Sequence, residues 1–222
     1  MVGTTVTDAL KVDIWSDVAC PWCYIGKRKF EEGASRSGVP VEVEYHSFEL
    51  SPDTPVDYAG STAAFLSERK GAPLRDVQQM LAEVTAVAAA LGLHYDFDTV
   101  VHTNTVLAHE LLHLAKAEGR QVETAEVLFR AYFEQGRNLG RVDDLVDLAA
   151  EAGLDPAAAR AALESHEYLD AVHADQAQAV AYGIQGVPFF VLDGRYAVAG
   201  AQDPALFADA LRQAAADRER VE

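Results

Sequence analysis

Two cysteines, Cys20 and Cys23, are the only ones in 222 residues, and only Pro21 and Trp22 lie between them. An apolar run, Val12-Asp13-Ile14-Trp15-Ser16-Asp17-Val18, precedes the pair and reads as a strand. A helix-like run, Tyr24 to Glu32, follows it. The pair therefore sits where a strand hands over to a helix. Cysteines three apart share one face of the first helical turn, close enough to trade one disulfide for another. Few folds place a strand, a reactive pair and a helix in that order.

The rest of the chain sorts around this junction. Val41 to Phe48 alternates apolar and polar residues, so Lys11–Asp17, the helix from Pro21 and Val41–Phe48 form a strand–helix–strand unit. From about Gly60 to Tyr182 the apolar spacing is helical, with about six helices. Candidates run from Leu74 to Leu91, Asn104 to Glu118, Glu123 to Gln135, Val142 to Ala152 and Glu167 to Tyr182. Asp155-Pro156 supplies a further helix start, and Gly119, Gly136 and Gly153 supply stops. Pro188 to Leu192 then reads as a buried strand, Asp193-Gly194 as a two-residue turn and Arg195 to Ala199 as the returning strand. Asp203-Pro204 opens a last helix, from Ala205 to about Ala216. The fold class is α/β. A βαβ unit and a ββα unit, residues 1–55 and 183–222, share one mixed sheet, and an all-helical insertion fills 56–182.

Disulfide exchange needs a thiolate attacker, and a helix start favours an anion through its unpaired N–H groups and partial positive charge. Cys20 falls at that position, and Pro21 suits it by having no N–H to lose. Nucleophilicity falls as a thiolate is stabilised, so the larger benefit is to Cys20 as a leaving group. Cys23, one turn on, resolves the mixed disulfide. A structural staple is the weaker reading, because so short a loop removes little unfolded-state entropy. A zinc site lacks a second cysteine pair. In the setting of such a pair, Pro188 is expected to follow a cis bond. That geometry leaves the Val187 backbone open to an extended substrate.

These segments together resemble the DsbA family of thiol–disulfide oxidoreductases, in its FrnE-like subgroup. Ser16-Asp17-Val18-Ala19-Cys20-Pro21-Trp22-Cys23-Tyr24-Ile25-Gly26-Lys27 carries most of the resemblance. Phe48-Glu49-Leu50-Ser51-Pro52, Asn104-Thr105 with Ala108-His109, Phe129 to Phe133, Gly186 to Phe190 and Gly200-Ala201-Gln202 carry the rest. The resemblance implies a thioredoxin fold with a helical insertion and protein or small-thiol redox activity. Cys20, Cys23 and Pro188 are then catalytic, and Val187, Trp22, Gln202 and Asn104 contact the substrate. The dipeptide between the cysteines is Pro-Trp, where leading members carry Pro-His. Related glutathione-dependent kappa transferases and chromene-carboxylate isomerases use Ser where Cys20 stands. Glutathione is accordingly the small-thiol partner to expect. An isomerase or transferase on the same scaffold is the alternative activity, a holdase chaperone a further one, and a homodimer an expected assembly.

Composition narrows the partners. The net charge of -17 argues against nucleic acid, whose phosphates such a chain repels. No apolar stretch reaches the roughly 18 residues of a membrane helix. Met1 to Leu10 lacks a basic start followed by an apolar run, so a cytoplasmic setting is expected. No metal, nucleotide or flavin cofactor is implied, since the sulfurs carry the electrons. His109-Glu110-Leu111-Leu112-His113 fits a zinc-protease pattern, but no third ligand accompanies it. Asp13 and Asp17 are carboxylates near the pair, with Asp17 equally suited to cap the turn.

Overall fold

The computed structural model describes residues 9–220, so residues 1–8 and 221–222, at the ends of the expected sheet segments, lie outside it. Most of the Met1–Leu10 segment read for a leader lies outside it as well. Strand β1, Leu10–Ser16, pairs in parallel with β2, Val41–Ser47, and the helix α1, Pro21–Ser37, joins them. Strand β3, Phe189–Leu192, runs antiparallel to β1, and β4, Tyr196–Ala199, antiparallel to β3. The sheet order is β2-β1-β3-β4. As one of the two inner strands, β1 buries Leu10, Val12, Ile14 and Trp15. Helix α9, Pro204–Glu219, packs on α1. At Gly33 a Cβ would stand 2.6 Å from Phe207 Cβ and 2.7 Å from Pro204 O, so the two helices meet backbone to backbone there.

Seven helices lie between β2 and β3 among the described residues, one more than the spacing suggests. They are α2 (Thr62–Lys70), α3 (Leu74–Ala89), α4 (Val106–Ala117), α5 (Gln121–Gln135), α6 (Val142–Glu151), α7 (Pro156–Ser165) and α8 (Leu169–Ala181). The extra element is α2. It buries only Thr62, so it carries no apolar stripe to read. Its ends are held instead by Ser61, which accepts from the Ala64 N–H, and by Gly71 in the left-handed region. The hairpin also differs from expectation. Pairing resumes with Tyr196 opposite Leu192, so Arg195 belongs to the turn, with Asp193 at φ 52° and Gly194 at φ 64°.

The helices attach to the sheet through a buried polar cluster. Asp175 on α8 accepts from His46 Nδ1 at 2.7 Å and from the Ser47 N–H at 2.8 Å, and it lies 3.0 Å from His113 Nε2 of α4. Its backbone carbonyl accepts from Trp15 Nε1 at 3.1 Å. His46 Nε2 reaches Asp13 at 2.8 Å, and Trp15 stacks on the imidazole at 4.5 Å. Asp13, Glu44 and His46 are close enough to share a metal ion, but lysines neutralise the carboxylates: Lys11 lies 3.0 Å from Asp13 and 3.1 Å from Glu44, and Lys116 also pairs with Glu44.

Burial opposes charge on His46, but the Asp13 and Asp175 hydrogen bonds and the nearby carboxylate charges outweigh it and hold the imidazole up to about 9. The folded value exceeds the ordinary 6.5. The stabilisation is therefore complete below about pH 6.5 and is lost as pH rises through about 9, amounting to roughly 2–3 kcal/mol. Urea unfolding at pH 7 and pH 10 should show a drop of that order. His46→Gln should show a smaller drop, and an identical drop in both proteins would contradict the assignment.

Candidate active site

Cys20 is the residue that precedes α1, with φ -89° and ψ 114°, and Pro21 occupies the first helical position. The Cys23 N–H bonds the Cys20 carbonyl at 3.0 Å, closing the first turn and bringing both free thiols to one side. Asp17 builds the approach. Its carboxylate accepts from the Ala19 N–H at 3.1 Å and the Leu50 N–H at 2.8 Å, so it caps the turn and ties it to the loop after β2. Asp13 is engaged by Lys11 and His46 instead.

From the far end of the chain, Val187 presents its carbonyl to Cys20 Sγ at 3.7 Å. The Val187–Pro188 bond is cis, as the sequence predicts. Gly200 N–H bonds the Pro188 carbonyl at 2.8 Å. Gly26 makes the approach of α1 to this loop sterically feasible, because a Cβ there would lie 2.8 Å from Pro188 Cγ.

Both thiols are buried, Cys23 at 2% and Cys20 at 4% exposed, and of the two only Cys20 lines the cleft beside the pair. Burial pushes its thiol well up, and the hydrogen bond and charge of Cys20 push it further, against the Ser16 side chain and the Asp17 backbone.

A cleft of ≈ 350 Å³ opens beside Cys20. Pro21 and Trp22 form one side, and Phe65, Leu81, Val84 and Phe133 form much of the rest. The Tyr95 hydroxyl donates to the Pro21 carbonyl at 2.7 Å, and its ring stacks on Phe133 at 4.6 Å, fixing the cleft wall to the start of α1. None of Tyr95, Thr54 and His102 stands out in sequence. Each comes from a loop, and only the tertiary fold brings it here.

The structure gathers Cys20, Cys23, Trp22, Val187 and Pro188 at one end of the sheet. Trp22 lines the cleft and is 44% exposed. Asn104 lies outside that lining. Its amide donates to the Pro52 carbonyl at 2.8 Å and accepts from the Val106 N–H at 2.9 Å, holding the start of α4. Gln202 is exposed, also outside the lining, and donates to the Ala199 carbonyl at 2.8 Å. The zinc-protease-like motif turns to separate partners. His109 lies 3.5 Å from Asp17, Glu110 pairs with His166 at 2.9 Å, and His113 joins Asp175.

Residues 11–212 match the DSBA-like thioredoxin domain. The chain is 33% identical over 211 residues to the uncharacterized protein YwbO of Bacillus subtilis, covering 90% of this chain and 94% of that one. A probable DsbA oxidoreductase from Streptomyces coelicolor superposes with a TM-score of 0.87 at 40% identity, over 94% of this chain and 91% of the other. A cytosolic disulfide reductase, DsbM from Pseudomonas aeruginosa, solved with GSH, shares the fold. Its TM-score is 0.61 at 17% identity, over 96% and 98% of the two chains.

Two outcomes follow from this geometry. Iodoacetamide should label Cys23 in the reduced native protein at least about tenfold more slowly than in urea, measured by peptide mass spectrometry, because burial disfavours the thiolate. Equal rates would contradict the enclosed thiol. Gly26→Ala should lower stability by about 1–3 kcal/mol, since the methyl group must displace Pro188 or α1. An unchanged denaturant midpoint would show that the contact is slack.

Proposed function

Given that this chain belongs to the DSBA-like thioredoxin family, we propose that it is a thiol–disulfide oxidoreductase in which Cys20 is the attacking sulfur. The observation that carries this reading is the place of Cys20: at the head of α1, facing the Val187 carbonyl, with Cys23 enclosed behind it. A Cys20 thiolate attacks one sulfur of a substrate disulfide, and the other sulfur leaves as a thiolate. Cys23 then attacks Cys20, closes the Cys20–Cys23 disulfide and releases the second thiol. Two electrons pass from the dithiol to the substrate, and the reverse sequence oxidises a dithiol.

The environment of Cys23 suits the second step. Much of what holds its proton, after burial, is the hydrogen bond and charge of Cys20. Once Cys20 is tied up in a mixed disulfide, that contribution disappears and Cys23 ionises more readily. Pro188 and the Val187 backbone position the substrate sulfur, and Trp22 offers an apolar contact beside it.

In this reading the partner is a protein or small-molecule thiol or disulfide, and no resident cofactor is needed because the sulfurs carry the electrons. The glutathione bound to the DsbM neighbour supports a small thiol among the partners, and that neighbour's cytosolic setting is compatible with a cytoplasmic one here.

Dithiothreitol-driven reduction of insulin tests the assignment. Cys20→Ser should lose at least about 100-fold in rate, because a hydroxyl is not a competent attacking group in thiol exchange. Cys23→Ser should accumulate a covalent adduct with substrate, visible by non-reducing electrophoresis. Full activity in Cys20→Ser would sink the reading.

A further inference from the structure

The cleft beside Cys20 contains two polar side chains whose potential is only partly used. His102 and Thr54 are 9% and 6% exposed, and both line the cleft. His102 Nε2 and Thr54 Oγ1 have no hydrogen-bond partner in the protein. Unpaired buried polar atoms are rare and costly, so two in one lining call for a role.

The surroundings of His102 determine what it offers. Tyr132 Oη lies 3.2 Å from His102 Nδ1. The Tyr132 hydroxyl has no other acceptor within reach among the described residues, so its proton goes to Nδ1, and burial and the charge of Asp17 keep the phenol protonated. Burial holds the imidazole down to about 4, so at neutral pH the ring is uncharged. Its single proton then sits on Nε2. The unpaired atom is therefore a neutral N–H donor, and Thr54 adds a hydroxyl. Phe65 stacks on the imidazole at 4.2 Å and restrains its rotation.

We propose that this cleft binds a neutral, ring-bearing small molecule that carries one acceptor oxygen, with the ring against Phe65, Leu81, Val84 and Phe133 and the oxygen against His102 and Thr54. The volume of ≈ 350 Å³ lies at the lower end of the roughly 300–1,000 Å³ typical of small-ligand sites. A carboxylate suits it poorly. It would be desolvated against an uncharged imidazole, in a lining that already holds the Asp17 carboxyl group. Of the two cations in the lining, Arg69 is already engaged by Asp53 at 2.9 and 3.2 Å, and Lys70 is exposed to water, which screens its charge. The cleft adjoins Cys20, so a thiol or disulfide that carries such a group meets Cys20 with that group seated in the cleft. That last statement rests on the redox reading, whereas binding does not.

Calorimetric titration of the full chain with three naphthalenes of matched size tests the proposal: the methyl ketone, its ethyl analogue and the naphthoate. The ketone should bind about tenfold more tightly than the ethyl analogue, as expected for one added hydrogen bond. His102→Phe, which keeps the stacked ring, should reduce ketone affinity to that of the ethyl analogue. If that variant fails to fold, Thr54→Val should narrow the preference instead. Equal affinity for ketone and ethyl analogue, tightest binding of the naphthoate, or binding of none would overturn the proposal. Insulin reduction by the unmodified protein, run alongside, separates the two ideas. Ketone preference without reduction leaves the subsite and removes the redox reading, and reduction without preference does the opposite.

Discussion

The carboxylate of Asp175 is the joint on which this arrangement hangs. A buried charge is tolerated only when its oxygens are saturated. Here His46, His113 and the Ser47 N–H converge on it, and hydrogen bonds to His113 and His46 hold the carboxyl well below its ordinary range despite burial. Its partners come from β2 and α4, and Trp15 of β1 bonds its carbonyl. One residue, through its side chain and its carbonyl, thus fixes two helices against two strands. Helix α4 packs in turn on α5, whose Phe133 lines the cleft beside Cys20, so this ion pair reaches the head of α1 through one intervening helix.

The site divides its work between a local device and a tertiary one. Locally, the helix start, Pro21 and the Asp17 cap set the position of Cys20. Through the tertiary fold, Val187 and Pro188 approach from the strand side and Tyr95 from the helical side. An aromatic group, with Tyr24 stacked on Phe129 at 5.0 Å and Tyr95 on Phe133 at 4.6 Å, carries the contact from α1 into α5. The sulfurs therefore sit between a rigid backbone edge and an apolar enclosure. Reactivity is set on one side and access on the other.

How much of this could be read from residues alone follows the same division. The cysteine pair, Pro188, four strands and most helices declare themselves through short-range signals: alternation, helical spacing, Asp-Pro starts and Gly stops. Helix α2 does not, because it buries only Thr62, and its large apolar residues, Phe65 and Leu66, are half-buried along the cleft rather than in the core. Arg195 looks like strand, but its place in the turn is decided by the register of β4 against β3. Asn104 and Gln202 entered through family resemblance, and in the fold their amides serve a helix start and a turn. Asp175, His46, His102, Thr54 and Tyr95 carry no such signal, for one reason. Their partners lie on other elements, and periodicity reports how an element faces the core, not which neighbour it meets there.

Cys20 and the Val187 carbonyl it faces are 167 residues apart. At a synthesis rate of roughly 5–20 residues per second, both cysteines leave the ribosome about 10–30 s before that carbonyl exists. Throughout that interval the nascent chain has a complete Cys-Pro-Trp-Cys segment and lacks the strand edge that will face it, while the helices of the roof emerge one after another. The newborn thiols are thus chemically finished well before they are selective, and their early encounters are governed by the surrounding redox pool rather than by the fold.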